Sequence, residues 1–60
     1  MRKLILTVDI DDSVGDRPFV LKAGTPVNYL SEDIAGNVMA EAEDGSVSFL
    51  LSADEYKEAE

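Results

Sequence analysis

The chain contains no cysteine, no histidine and no tryptophan. Without cysteine there can be no disulfide and no thiolate metal site. Without cysteine and histidine together, the usual catalytic nucleophile and its base are both missing. Basic residues are also scarce, five lysines and arginines against 13 acids, for a net charge of −8. A phosphate backbone would be repelled, so direct nucleic-acid binding is disfavoured. An anionic membrane surface is disfavoured for the same reason. Long apolar runs are lacking too. "LILTV" near the start is shorter than a signal-peptide core, acids follow it at once, and nothing approaches the ~18 residues of a membrane span. These absences, with that of cysteine, lead us to expect a cytoplasmic protein.

Sixty residues make one domain at most, here taken as 1–60. A chain of this size buries only about 60% of its unfolded surface, so its stability is marginal. The 45% apolar content is normal for a globular domain and high for a disordered one.

Residues 3–10, "KLILTVDI", place Leu4, Leu6, Val8 and Ile10 on one side. That alternation predicts a half-buried strand. "DDSVGDR", 11–17, then reads as a break, because Asp and Ser bond to their own backbone and Gly tolerates positive φ. A short strand is expected around Phe19 to Lys22, with a turn at Ala23-Gly24. Pro26, which has no N–H to donate, marks a strand start or edge. "VNYLS", 27–31, is a further strand, and 32–37 a loop punctuated by Gly36-Asn37.

"NVMAEAEDGSVSFLL" carries the clearest pattern. Asp44-Gly45 predicts a two-residue type I′ turn, with both residues at positive φ. That turn pairs Ala42 with Val47, Glu41 with Ser48, Ala40 with Phe49, Met39 with Leu50 and Val38 with Leu51. Val38, Ala40, Ala42, Val47, Phe49 and Leu51 then share an apolar face. Glu41, Glu43, Ser46 and Ser48 share the other, along with Met39 and Leu50. A slip of one residue would scramble both faces. Small alanines opposite the bulky Val47 and Phe49 suggest that layers of the core press close there. At the end, Ser52 and Glu55 form a capping box, with Leu51 and Tyr56 as a hydrophobic staple. A short helical turn is expected from Ala53, fraying beyond Lys57.

About five strands followed by a helical turn make an all-β chain. "KAGTPVNYLSED" and "LLSADEY" resemble segments of SH3-like domains: a Gly before an x-V-x-Y-L strand followed by acids, and a closing turn before a tyrosine. The resemblance spans most of the chain at the level of pattern and names no specific family. It implies a small five-stranded SH3-like barrel, or a strongly curved antiparallel sheet, with residues 9–16 as the acidic first loop. It also implies that Tyr56 stands where the family has a groove tyrosine. The groove itself, which docks proline-rich helices, needs tryptophan and further tyrosines that this chain lacks.

"DIDDSVGD", 9–16, fails as an EF-hand. Counted from Asp9, the required Gly and Glu positions hold Val14 and Val20. A looser hard-cation site of Asp9, Asp11, Asp12 and Asp16 is the sharper alternative to a solvated turn. No cofactor is expected. Ser13, Ser31, Ser46 and Ser48 lack any activating partner, and Glu41 and Glu43 lie on an exposed strand where nothing raises a carboxyl pKa. We therefore expect no enzyme. What remains is surface: the acids Asp11, Asp12, Asp16, Glu41 and Glu43, and the apolar neighbours Met39 and Leu50. These are the candidate partner-binding residues. They fit an acidic interaction module for a basic protein. Carboxylates two apart on a strand lie about 6.6 Å from each other, so a sharper expectation is a nucleic-acid mimic, such as a phage- or plasmid-encoded inhibitor of a nucleic-acid-handling protein. The competing expectation is a homo-oligomer joined through Met39 and Leu50.

Overall fold

The computed structural model describes residues 2–59, and of Val14 the backbone alone. Among these residues seven strands run in chain order: β1 Lys3–Leu6, β2 Ile10–Val14, β3 Arg17–Leu21, β4 Pro26–Glu32, β5 Val38–Ala42, β6 Ser48–Leu51 and β7 Tyr56–Glu58. Five form an antiparallel sheet in the order β6-β5-β4-β1-β7, and β2 and β3 form a separate hairpin. The all-β expectation holds. The sheet does not close into a barrel: β6 and β7 are its two edges.

Alternation explains the core. β1 buries Leu4 and Leu6 and half-exposes Lys3 and Ile5. Val27, Val38, Ala40, Phe49 and Leu51 are buried on the same side of the sheet. Each fully buried leucine or valine contributes about 1.5–3 kcal/mol. The pairing of β5 with β6 is the expected one, from Val38 opposite Leu51 to Glu41 opposite Ser48. The layer that covers this face is the β2–β3 hairpin, which the sequence reading did not foresee. Ile10 is buried, and Phe19 and Leu21 pack against the same cluster. Phe19 meets Phe49 with ring centroids 6.0 Å apart.

Three local expectations need correction. First, the strand foreseen over 3–10 ends at Leu6. The Thr7 N–H donates to the Glu55 carbonyl at 3.0 Å, the Thr7 hydroxyl donates to the Asp54 carbonyl at 2.9 Å, and the Gly24 N–H donates to the Leu6 carbonyl at 2.7 Å. These long-range bonds turn the chain, leave Val8 exposed, and let β2 start afresh at Ile10. Residues 11–17 are consequently a hairpin and not a break. Val14 pairs with Arg17 across Gly15-Asp16, and only Gly15 takes positive φ, at 64°. That is the sign pattern of a type II′ turn.

Second, the Asp44-Gly45 turn is not type I′, because Gly45 alone has positive φ, 75°. The Gly45 N–H donates to the Ala42 carbonyl at 2.8 Å, and the Ala42 N–H donates to the Val47 carbonyl at 3.0 Å. The loop is therefore longer than two residues, and the Ser46 N–H donates to Asp44 Oδ1 at 2.9 Å within it. The strand register survives because the faces, and not the turn type, select it.

Third, the C-terminal helical turn does not form. Half of the capping box is present: the Ser52 N–H donates to Glu55 Oε1 at 2.7 Å, and the Glu55 N–H to the Ser52 carbonyl at 3.0 Å. The chain then extends, and Tyr56–Glu58 pairs with β1. A nascent helix this short gains little from propagation, whereas pairing with the buried strand β1 satisfies its free edge.

Candidate interaction surface

The sheet has a covered face and an open one. On the covered face lie the apolar core and the β2–β3 hairpin. The open face carries Lys3, Ile5, Asn28, Met39, Glu41 and Leu50, placed there by strand alternation. The seven candidate residues thus divide between two sides of the molecule. Asp11, Asp12 and Asp16 belong to the hairpin. Met39, Glu41, Glu43 and Leu50 belong to β5, its turn and β6, facing the other way.

On the open face, Met39 and Leu50 are cross-strand partners as expected. Leu50 is 58% exposed and Met39 half-buried. Leu30, absent from the sequence-based candidates, joins them. The pairing of β4 with β5 shifts between Tyr29 and Ser31, so Leu30 is the extra residue of a β-bulge and is 43% exposed. Bulges re-aim side chains in this way, and neither strand's own pattern announces one.

The acids beside that patch are engaged. Lys3 Nζ donates to Glu43 Oε2 at 2.8 Å, and Asn28 Nδ2 donates to Glu41 Oε1 at 3.4 Å. Lys3 and Asn28 are themselves cross-strand neighbours. Asn28 is only 6% exposed, and its Oδ1 has no partner among the described residues. The expected free row of Glu41 and Glu43 is therefore a mixed, partly neutralised strip.

The hairpin is different. Asp11, Asp12 and Asp16 are exposed. Asp11 faces Val20 and Asp12 faces Phe19 across the ladder, so adjacent carboxylates point to opposite sides. Asp12 Oδ1 accepts the Ser13 N–H at 2.8 Å. Asp9 belongs to the hairpin's base, where its Oδ1 accepts the Ala23 N–H at 2.8 Å and Oδ2 faces Lys22 Nζ at 3.4 Å. The Ala23 backbone bond, with Lys22 adding to it, holds the Asp9 carboxyl below the usual range. Among the described residues, no three acidic side chains converge to hold a metal ion.

A further constellation lies at the rim of the covered face. The Arg2 guanidinium stacks 4.3 Å from the Tyr29 ring centroid and pairs with Glu58. The Tyr29 hydroxyl reaches Glu32 Oε1 at 3.4 Å. Burial, then the Glu32 charge, pushes the Tyr29 phenol up. Arg2 precedes Leu4 by two, so the alternation of β1 already placed it on this side. Its meeting with Glu58 required β7.

Comparison with known protein families, curated proteins and solved structures returns no match to this chain. Among the described residues, no helix is long and apolar enough to cross a membrane.

Proposed function

We propose that this chain is a non-catalytic, acidic interaction module whose partner is a basic protein segment. One observation carries the reading: carboxylates outnumber the cations that could pair with them. Among the described residues, the ion pairs are Arg2–Glu58, Lys3–Glu43 and Lys22–Asp9. Asp11, Asp12 and Asp16 have no such partner, and they project from one hairpin. Unpaired carboxylates exposed on both sides of one hairpin give it a negative field that steers a cationic partner and speeds its encounter. Of the SH3-like reading, the open form, a strongly curved antiparallel sheet, is retained as a proposal for the architecture. It is supported by an acidic hairpin following β1 and by a single turn before Tyr56.

The nucleic-acid mimic draws less support, since Glu41 and Glu43 are drawn into bonds with Asn28 and Lys3. Self-association through Leu50, Met39 and Leu30 is the second reading, favoured by their exposure on an open sheet face.

The test is a titration of the labelled chain with an oligolysine peptide and an uncharged peptide of equal length, at low and high salt. Selective binding of the cationic peptide that weakens with salt, and weakens again in Asp11→Asn/Asp12→Asn/Asp16→Asn, is expected. Equal affinity for both peptides would remove the reading. Sedimentation at two concentrations addresses the second, since a strict monomer eliminates it.

A further inference from the structure

We propose that the free edge of β6 accepts an extended polypeptide as an added antiparallel strand, with basic residues preceding that strand. The inference rests on the acidic-module reading and assigns it a docking edge.

Unpaired sheet edges invite strand addition, and proteins guard them with charge, proline or shortness. Among the described residues four sheet edges are unpaired, and three of them are guarded. β7 is only three residues, Tyr56–Glu58, and carries Lys57 and Glu58. β2 carries Asp11 and Asp12. β3 carries Pro18 opposite Ser13. A two-residue turn makes Val14–Arg17 the bonded pair, so the Pro18 nitrogen points to the outer edge, where no N–H can be offered. β6 reads Ser48-Phe49-Leu50-Leu51, with no charge between Asp44 and Asp54 and no proline.

The direction of its backbone groups follows from one bond. Ala42 donates to the Val47 carbonyl, so bonded positions on β6 alternate from Val47 through Phe49 to Leu51. The N–H and C=O of Ser48 and Leu50 then point outward. The ladder ends at Ser52, whose N–H is already taken by Glu55.

Charge selects the occupant. An antiparallel added strand lays the residues that precede it beside Asp54 and Glu55. In a second copy of this chain those residues are Glu43 and Asp44, so carboxylates would meet carboxylates at both ends. Arg17, which lines a cleft of about 310 Å³ with Ser46 and Val47, and Lys3, held by Glu43, leave the acids in excess. A foreign segment with Lys or Arg before its strand meets Asp54 and Glu55 with opposite charge. Its outward-alternating side chains would cover Leu50, which is otherwise exposed.

The probe is the peptide acetyl-Lys-Lys-Thr-Val-Thr-Val-Thr-amide, added to the full chain and followed by amide hydrogen exchange and NMR. We expect exchange at Ser48 and Leu50 to slow, with the largest shift changes along β6. Leu50→Pro removes an outward N–H while leaving the β5 bonds in place, and should weaken binding about tenfold. A peptide N-methylated at alternate residues should lose binding to the unaltered chain, which keeps the test independent of the proline variant's folding. Shifts confined to the β2–β3 hairpin would overturn the edge assignment and leave the basic-partner reading standing. Equal binding by the same peptide with Glu-Glu in place of Lys-Lys would overturn the charge selection and that reading, while the edge survived. Binding by neither peptide would overturn both. A concentration-dependent dimer protecting Ser48 and Leu50 would overturn the choice of occupant.

Discussion

The two β-hairpins of this chain are built alike and secured differently. Each has one glycine at positive φ in its turn, Gly15 at 64° and Gly45 at 75°. β5–β6 sends Val38, Ala40, Phe49 and Leu51 fully into the core, and β5 continues the sheet through β4. Among the described residues, β2–β3 buries Ile10, with Phe19 and Leu21 half-covered, and pairs with no other strand. One hairpin is structural bedrock. The other is a covering hairpin whose exposed side mixes Asp11 with Val20. With that division the hairpin can open locally without loosening the five-stranded sheet.

Substitutions can break or sharpen the contrast. Phe49→Ala should have the largest effect, about 3–5 kcal/mol. It removes the shared contact of both layers, and a domain this small has little more stability than that, so urea unfolding should show loss of the whole fold. Ile10→Ala should cost less, about 2–3 kcal/mol. Hydrogen exchange should show β2 and β3 opening while β4 and β5 remain protected. Equal loss of protection in both sheets would abolish the distinction. Gly45→Ala should cost about 1–2 kcal/mol, because a left-handed residue acquires a Cβ although the surrounding space is open.

Acid should act on both hairpins by a milder route. Asp9 is held low by the Ala23 backbone bond, and Asp44 by hydrogen bonding from Ser46, side chain and backbone. Both folded pKa values lie below the unfolded value of about 3.9. Their contribution is therefore complete above that value and is lost as pH falls through the folded pKa values. Urea midpoints should decline below about pH 4, and Asp9→Asn should flatten part of that decline. The smallest effect is expected for Val20→Thr on the hairpin's exposed side, within about 0.5 kcal/mol by thermal melting.

The legibility of the chain follows the same contrast. Residues 38–51 could be read because their partner is next in sequence, and one misassigned residue would have put charge in the core. Even the wrong turn type at Asp44 left the register intact. Residues 10–21 were harder. Asp11, Asp12 and Ser13 resemble loop composition, and the signal for a hairpin was the Gly15-Asp16 pair, a recognised two-residue turn. Residues 52–58 carried a real capping box, but a helix and a strand compete there, and the decision lies with the distant edge of β1. Of the candidate surface, the Met39–Leu50 pair was readable as a cross-strand neighbour. The bonds of Glu41 to Asn28 and of Glu43 to Lys3 were not, since they cross from β5 and its turn to β4 and β1.

Alternating apolar residues and the scarcity of cations determined on their own that this chain forms β-strands with an acidic exterior, because both are local properties of composition and a two-residue period. Strand order, the bulge at Leu30, the extended C-terminus and the separation of Asp11, Asp12 and Asp16 from Met39 and Leu50 were decided only in three dimensions. Each depends on which distant backbone satisfies an open edge, and no local pattern records that.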